Sequence, residues 1–244
     1  MYRLYYSPGA CSLAPHVALC ELGLPHEAVR ISTKEGQNRS PEFLKINPRG
    51  EVPVLETPQG QVVREGAAIL LNILGSQENK LMPIQSGPRA TALEWLMSAN
   101  ASLHPLYGRM FFFGKQLGEG AKDNALVQAT ATSIQKMWDE VEARLEGRSY
   151  LCGEECTIGD ILHAVIAGWN EKIAIPPALG PNTQRWIQAV TERPAFQEAL
   201  KVEAQEAAAP EAAANVTDGK ATDNASKAEE ATAEAEKPAA QSAA

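Results

Sequence analysis

No stretch of this 244-residue chain approaches the roughly 20 consecutive apolar residues that a membrane-spanning helix needs. Basic residues are in deficit. The 22 Lys and Arg against 30 Asp and Glu leave a net charge of -8, which argues against a nucleic-acid partner held through phosphates. The opening residues carry no basic, apolar and small-residue succession of the kind that directs export, so a cytoplasmic protein is expected. Cysteine is scarce: Cys11, Cys20, Cys152 and Cys156 are the whole complement, expected to be reduced thiols in that compartment. Cys20 reads as helix core. Cys152 and Cys156 have three residues between them and no two further ligands evident nearby, so packing explains them and no metal is expected. Between 203 and 244 aromatics are missing altogether. Seventeen of those 42 residues are alanine, and nine acidic residues against three lysines give the stretch a charge of -6. Such a segment cannot bury enough surface to offset chain entropy, and a disordered, solubilising tail is expected.

The remaining residues carry a clear pattern, and 44% apolar content is enough for a sizeable core. The first 75 residues alternate strand and helix signals. Leu4-Tyr5-Tyr6 reads as a strand and Leu13 to Leu22 as an amphipathic helix, with Ser12 as N-cap and Gly23 just past its end. Glu27 to Ile31 reads as a second strand. Ser40-Pro41 opens a short helix over Glu42–Ile46, and Asn47-Pro48-Arg49-Gly50 is a strong turn. Val52–Glu56 and Gln61–Arg64 form a hairpin around Pro58-Gln59-Gly60, and Glu65-Gly66 begins another helix. The order βαβ then ββα is that of a thioredoxin-like domain. From about Pro88 to Val202 the pattern is helical, and Thr157-Ile158-Gly159-Asp160 is a capping-box-like start for an apolar helix. The expected fold class is α/β plus all-α: a thioredoxin-like domain at 1–78, a linker at 79–87, an all-helical domain at 88–202 and the tail at 203–244.

The turn Ser7-Pro8-Gly9-Ala10 delivers Cys11 to a helix N-terminus. Unpaired backbone N–H groups and the positive end of the helix dipole favour thiolate over thiol there, so reactive thiol chemistry is expected. A small thiol that only packs is the alternative. Ser12 either donates a hydrogen bond to a nearby thiolate or merely caps the helix.

Tyr5-Tyr6-Ser7-Pro8-Gly9-Ala10-Cys11-Ser12, then Asn47–Leu55, then Glu65–Ile69, resemble the bacterial glutathione S-transferases of the beta class. Glu94-Trp95-Leu96, the His104 region and Thr157–Asp160 fit as well, so the likeness spans about Met1–Val202. The resemblance implies a glutathione transferase fold and glutathione as co-substrate. It implies Cys11 at the glutathione sulfur, able to form a mixed disulfide with it, and His104 facing that sulfur from the helical domain. A cis peptide at Val52-Pro53 would offer Val52 as an extra-strand partner to the tripeptide. Glu65 and the Gly66 N–H would hold the γ-glutamyl end, and Lys34, or in its place Arg39, would reach the glycine carboxylate. The resemblance further implies a homodimer and a detoxifying conjugation of hydrophobic electrophiles, with Tyr107 and Phe111 lining the electrophile pocket. Two departures stand out. Pro105 follows His104 where the family commonly has lysine, and Met97 stands where it commonly has asparagine, with Asn100 one turn on. Both are expected to remove polar contacts near the ligand. They keep two competing readings open: glutaredoxin-like monothiol–disulfide exchange, and a non-catalytic binding or regulatory protein on the same fold.

Overall fold

The computed structural model describes residues 1–208, with side chains through 205. A four-stranded mixed sheet has the order β2-β1-β3-β4, built from β1 (Tyr2–Tyr6), β2 (His26–Arg30), β3 (Val54–Glu56) and β4 (Val62–Arg64). β1 runs parallel to β2 across the α1 crossover (Leu13–Glu21) and antiparallel to β3, which pairs antiparallel with β4. Strand alternation sorts the side chains. Leu4, Tyr6 and Leu55 face the main core, under α1 and α3 (Gly66–Leu74). Tyr5 and Val54 face the other way, against Phe43 of α2 (Pro41–Ile46), where the Tyr5 and Phe43 rings meet edge-on at 6.0 Å.

The second half is helical, as expected: α4 (Ser86–Met97), α5 (His104–Leu117), α6 (Ala125–Arg144), α7 (Ile158–Ala167), α8 (Pro181–Thr191) and α9 (Pro194–Ala208). No helix among the described residues is long and apolar enough to cross a membrane. Three features depart from the sequence reading. α1 is not amphipathic: Leu13 through Leu19 are all buried, because α7 and α9 cover the face that a two-layer sheet domain leaves open. Within the region read simply as helical, a π-helical segment, Ser98–Leu103, separates α4 from α5. The boundary at 203 is set too early, since α9 continues to Ala208 and buries Glu203 to 3% exposure. The rest of the tail expected to be disordered, 209–244, lies outside the described residues.

α7 is the centre of the helical half, and every one of its ten residues is buried. Gly159 lets it approach α4: a Cβ there would sit 2.8 Å from the Trp95 Cβ. Asp160 holds the helix start. Its Oδ2 accepts from the Thr157 N–H and the Thr157 hydroxyl, both at 2.7 Å. Its Oδ1 accepts from the Leu151 N–H at 2.8 Å and the Trp186 indole N–H at 2.9 Å. One turn on, His163 is fully buried among the rings of Trp95, Trp138 and Trp186, with centroids at 5.7, 6.3 and 6.4 Å. Its Nδ1–H donates to the Gly159 carbonyl at 2.8 Å, and its Nε2 is unpartnered.

Burial lowers the His163 pKa to about 4. Below the unfolded value of about 6.5 the unfolded chain gains a proton that the native state refuses. This contribution to stability is therefore intact above that value and is lost as pH falls toward 4. Between pH 6.5 and pH 5 the expected loss is about 2 kcal/mol, to be read from urea midpoints across that range. His163→Phe is expected to flatten that slope.

Candidate active site

The β1–α1 turn places Cys11 just ahead of the α1 N-terminus, where its sulfur lies 3.9 Å from the Val52 carbonyl and its thiol can donate to it. Ser12 does not cap that helix. Its hydroxyl accepts from the Ser7 N–H at 3.1 Å and donates to the Ser7 carbonyl at 3.2 Å. Fully buried and spent on the turn, it has no proton to offer a thiolate, which corrects the donor role expected for it. The thiolate expectation for Cys11 is also reversed. Burial pushes its thiol up to about 11, outweighing the N–H groups of Cys11 and Ser12 that favour the anion, and Glu51 adds a repulsive negative charge. Helix-terminus amides stabilise a thiolate only to the extent that desolvation permits, and here desolvation wins.

The turn is clamped from the helical half. The Trp169 indole N–H donates to the Gly9 carbonyl at 2.9 Å, and the Gly9 N–H donates to the Glu203 carboxylate at 3.2 Å. Arg193 forks onto Glu21 at the end of α1, at 2.6 and 2.9 Å.

Val52-Pro53 is a cis peptide, as expected. The loop before it is stapled by Asn47, whose amide donates to the Glu51 carbonyl at 2.7 Å and accepts from the Arg49 N–H at 3.2 Å. Gly50 adopts φ +64 in this loop, and a Cβ there would lie 2.6 Å from the Asn38 carbonyl oxygen, so glycine is required. Glu65, at the N-terminus of α3, is the one non-glycine residue with positive φ (72°) among the described residues. That backbone costs on the order of 1–3 kcal/mol and aims the side chain off the helix start. Its carboxylate pairs with Arg49.

These elements surround a cavity of about 450 Å³. Cys11, Asn47, Arg49, Glu51, Val52, Pro53, Glu65 and Gly66 line it from the sheet half. Asn100, His104, Pro105 and Gly108 close it from the π-helical segment and α5, and Pro15, Leu70 and Leu162 complete the wall. Cys11, Val52, Pro53, Glu65, Gly66 and His104 are thus brought together. Lys34 is not among the lining residues and lies exposed on the loop after β2, and the alternative Arg39 donates to the Arg49 carbonyl at 2.9 Å. Tyr107 is a correction: it is fully buried, its hydroxyl bonded to Asn170 and accepting from the Trp138 indole N–H at 2.8 Å, so it belongs to the core and not to a pocket. Phe111 also lies off the cavity wall, 37% exposed, with its ring 5.9 Å from Trp169.

The two departures resolve in the geometry. Pro105 sits in the first turn of α5, just after the π-helical segment, where no continuous helix is broken. The same segment turns Asn100 toward the start of α3, and a Cβ on Gly66 would lie 3.4 Å from its Oδ1. The helical half therefore retains a polar group in the cavity, contrary to the expectation drawn from Met97. His104 packs against Trp169 at 5.2 Å, and burial lowers its pKa, so the imidazole is neutral near pH 7. Arg49, Glu51 and Asn47 are lining residues that the sequence reading named only as a turn and its flank.

The model of the glutathione S-transferase N-terminal domain matches residues 9–73, and that of the C-terminal domain matches residues 98–194. A curated relative, glutathione S-transferase 3 of Zea mays, is 31% identical over 211 residues, covering 82% of this chain and 92% of its own. The solved structure of a sphingomonad glutathione S-transferase complexed with glutathione is 31% identical at a TM-score of 0.70, covering 83% of this chain and 98% of its own. That of the bacterial beta class glutathione S-transferase of Sphingomonas chungbukensis is 29% identical at 0.68, covering 82% of this chain and 98% of its own.

Proposed function

Because the chain belongs to the glutathione S-transferase family of enzymes, we propose that it conjugates glutathione to hydrophobic electrophiles in the cavity between sheet and helical halves. One observation carries this reading: Cys11, the cis Val52-Pro53 peptide, the strained Glu65 with Gly66, and His104 all line that cavity. The tripeptide lies along Val52 as an added strand. Glu65 takes its α-ammonium, and the γ-glutamyl carboxylate meets the N–H groups that open α3. The long side chain of Lys34 would swing in to the glycine carboxylate. The family's usual dimer and cytoplasmic location belong to the same reading.

The chemistry follows from the two protonation states. Neutral His104 accepts the proton of the glutathione thiol. Cys11, kept as a thiol, donates its hydrogen bond to the sulfur anion so formed instead of to Val52. The sulfur attacks the electrophilic carbon, a carbon–sulfur bond forms, and the leaving group departs with its electron pair. The apolar wall of Pro105, Gly108 and Leu162 receives the electrophile. A glutaredoxin-like cycle would need Cys11 itself as thiolate, and its raised pKa weighs against that. A non-catalytic role drew its support from the missing polar contacts, and Asn100 in the cavity removes much of it.

Cys11→Ala is expected to lower conjugation of a chloronitrobenzene roughly tenfold while leaving glutathione affinity nearly unchanged, the signature of one hydrogen bond to a charged sulfur. Full turnover in that variant, or faster reduction of a glutathione mixed disulfide than conjugation by the wild type, would overturn the assignment.

A further inference from the structure

α1 carries a second cluster of donors beyond Cys11. His16 and Cys20 are four residues apart and so share one face of the helix. His26, the first residue of β2, closes on them, and its ring meets that of His16 edge-on at 5.3 Å. One donor atom from each of the three lies within 4.8 Å of the other two.

Both imidazoles are held through Nδ1. His26 Nδ1 lies 2.8 Å from the Leu24 carbonyl, which only accepts, so Nδ1 carries the proton and Nε2 keeps its lone pair. His16 Nδ1 faces the buried Glu203 carboxylate at 3.4 Å. His16 Nε2 is left buried with no hydrogen-bond partner, on a residue with no exposed surface. A buried nitrogen without a partner is a cost that a folded protein seldom carries without return. Carbonyl or carboxylate behind an imidazole, lone pair in front, is the arrangement that supports a metal-ligating histidine.

We propose that His16, Cys20 and His26 form a zinc site, with two imidazole nitrogens, one thiolate and a water as fourth ligand. One sulfur and two nitrogens suit a borderline divalent ion and disfavour magnesium or calcium, which take oxygen. Bonds of about 2.0–2.3 Å need donors about 3.3–3.7 Å apart. The partly exposed Cys20 and His26 close by about 1 Å onto the fixed His16. On binding, the Cys20 thiol releases its proton to solvent. The ion would tie α1 to β2 and, through Glu203 behind His16, to α9. The site shares no residue with the glutathione cavity, so its test and that of the conjugation reading fail independently.

The test is a cobalt(II) titration of the tag-free, metal-stripped full chain without glutathione, followed by zinc competition. One equivalent is expected to bind, with a thiolate-to-cobalt charge-transfer band that zinc abolishes. Cys20→Ser is expected to lose that band and Cys11→Ala to keep it, while His26→Ala and Glu203→Gln weaken binding at least tenfold. Zinc is also expected to raise the melting temperature of the wild type and not of His26→Ala, a comparison that holds even if Cys20→Ser folds poorly. A band that follows Cys11 or Cys152, or the absence of saturable binding in the folded wild type, would overturn the proposal.

Discussion

Asp160→Ala should lower stability by about 3–5 kcal/mol, with a fall in Tm of roughly 10 °C. The magnitude follows from what the carboxylate holds. Four donors converge on it: the Leu151 and Thr157 N–H groups, the Thr157 hydroxyl and the Trp186 indole. Removing the acceptor strands three buried N–H groups, each costing about 1–3 kcal/mol when unpaired, less whatever water a new cavity admits. The loss falls on α7, which packs against α1, α4 and α8, so it reaches the whole core. Asp160 does not line the cavity proposed to bind glutathione, and the folded fraction of the variant should therefore keep its turnover. An unchanged melting temperature with lost activity would show that Asp160 acts in the reaction instead.

The second large effect concerns Glu65→Gln, which should weaken glutathione binding on the order of 100-fold with little change in Tm. The proposed contact is a charge-assisted hydrogen bond to an α-ammonium. Glutamine keeps the shape and loses the charge. It also leaves Arg49 with only the longer Glu51 contact at 3.8 Å, so more positive charge faces the ammonium. Titration calorimetry at fixed ionic strength reads the change. An affinity within a factor of three of wild type would mean that the positive-φ residue serves the fold of the β4–α3 corner and not the ligand.

Several of these features were legible in the sequence because they are local. The turn that presents Cys11, the helix starting after Glu65 and the Asp160 cap each depend on residues within a few positions of one another. The cis peptide at Val52-Pro53 was legible only through family likeness, since spacing says nothing of proline isomers. What was hidden depends on partners far along the chain. The α1 faces are buried by α7 and α9, whose contacts begin some 140 residues later. Burial of Cys11, which local sequence does not show, favours its thiol over the thiolate. Glu203 looked like the first residue of a polar tail because composition averages over neighbours. Its buried contacts with Gly9 and His16 are 194 and 187 residues away. Tyr107 lay at a helical position that suits either core or pocket, and only the Trp138 and Asn170 partners decide between them.

A crystal structure of the protein grown with millimolar glutathione tests the account most directly. The tripeptide should lie antiparallel to Val52, with its α-ammonium on Glu65 and its sulfur within hydrogen-bond reach of the Cys11 sulfur, unlinked to it. An empty cavity, a tripeptide seated elsewhere, or a sulfur turned away from Cys11 would contradict it.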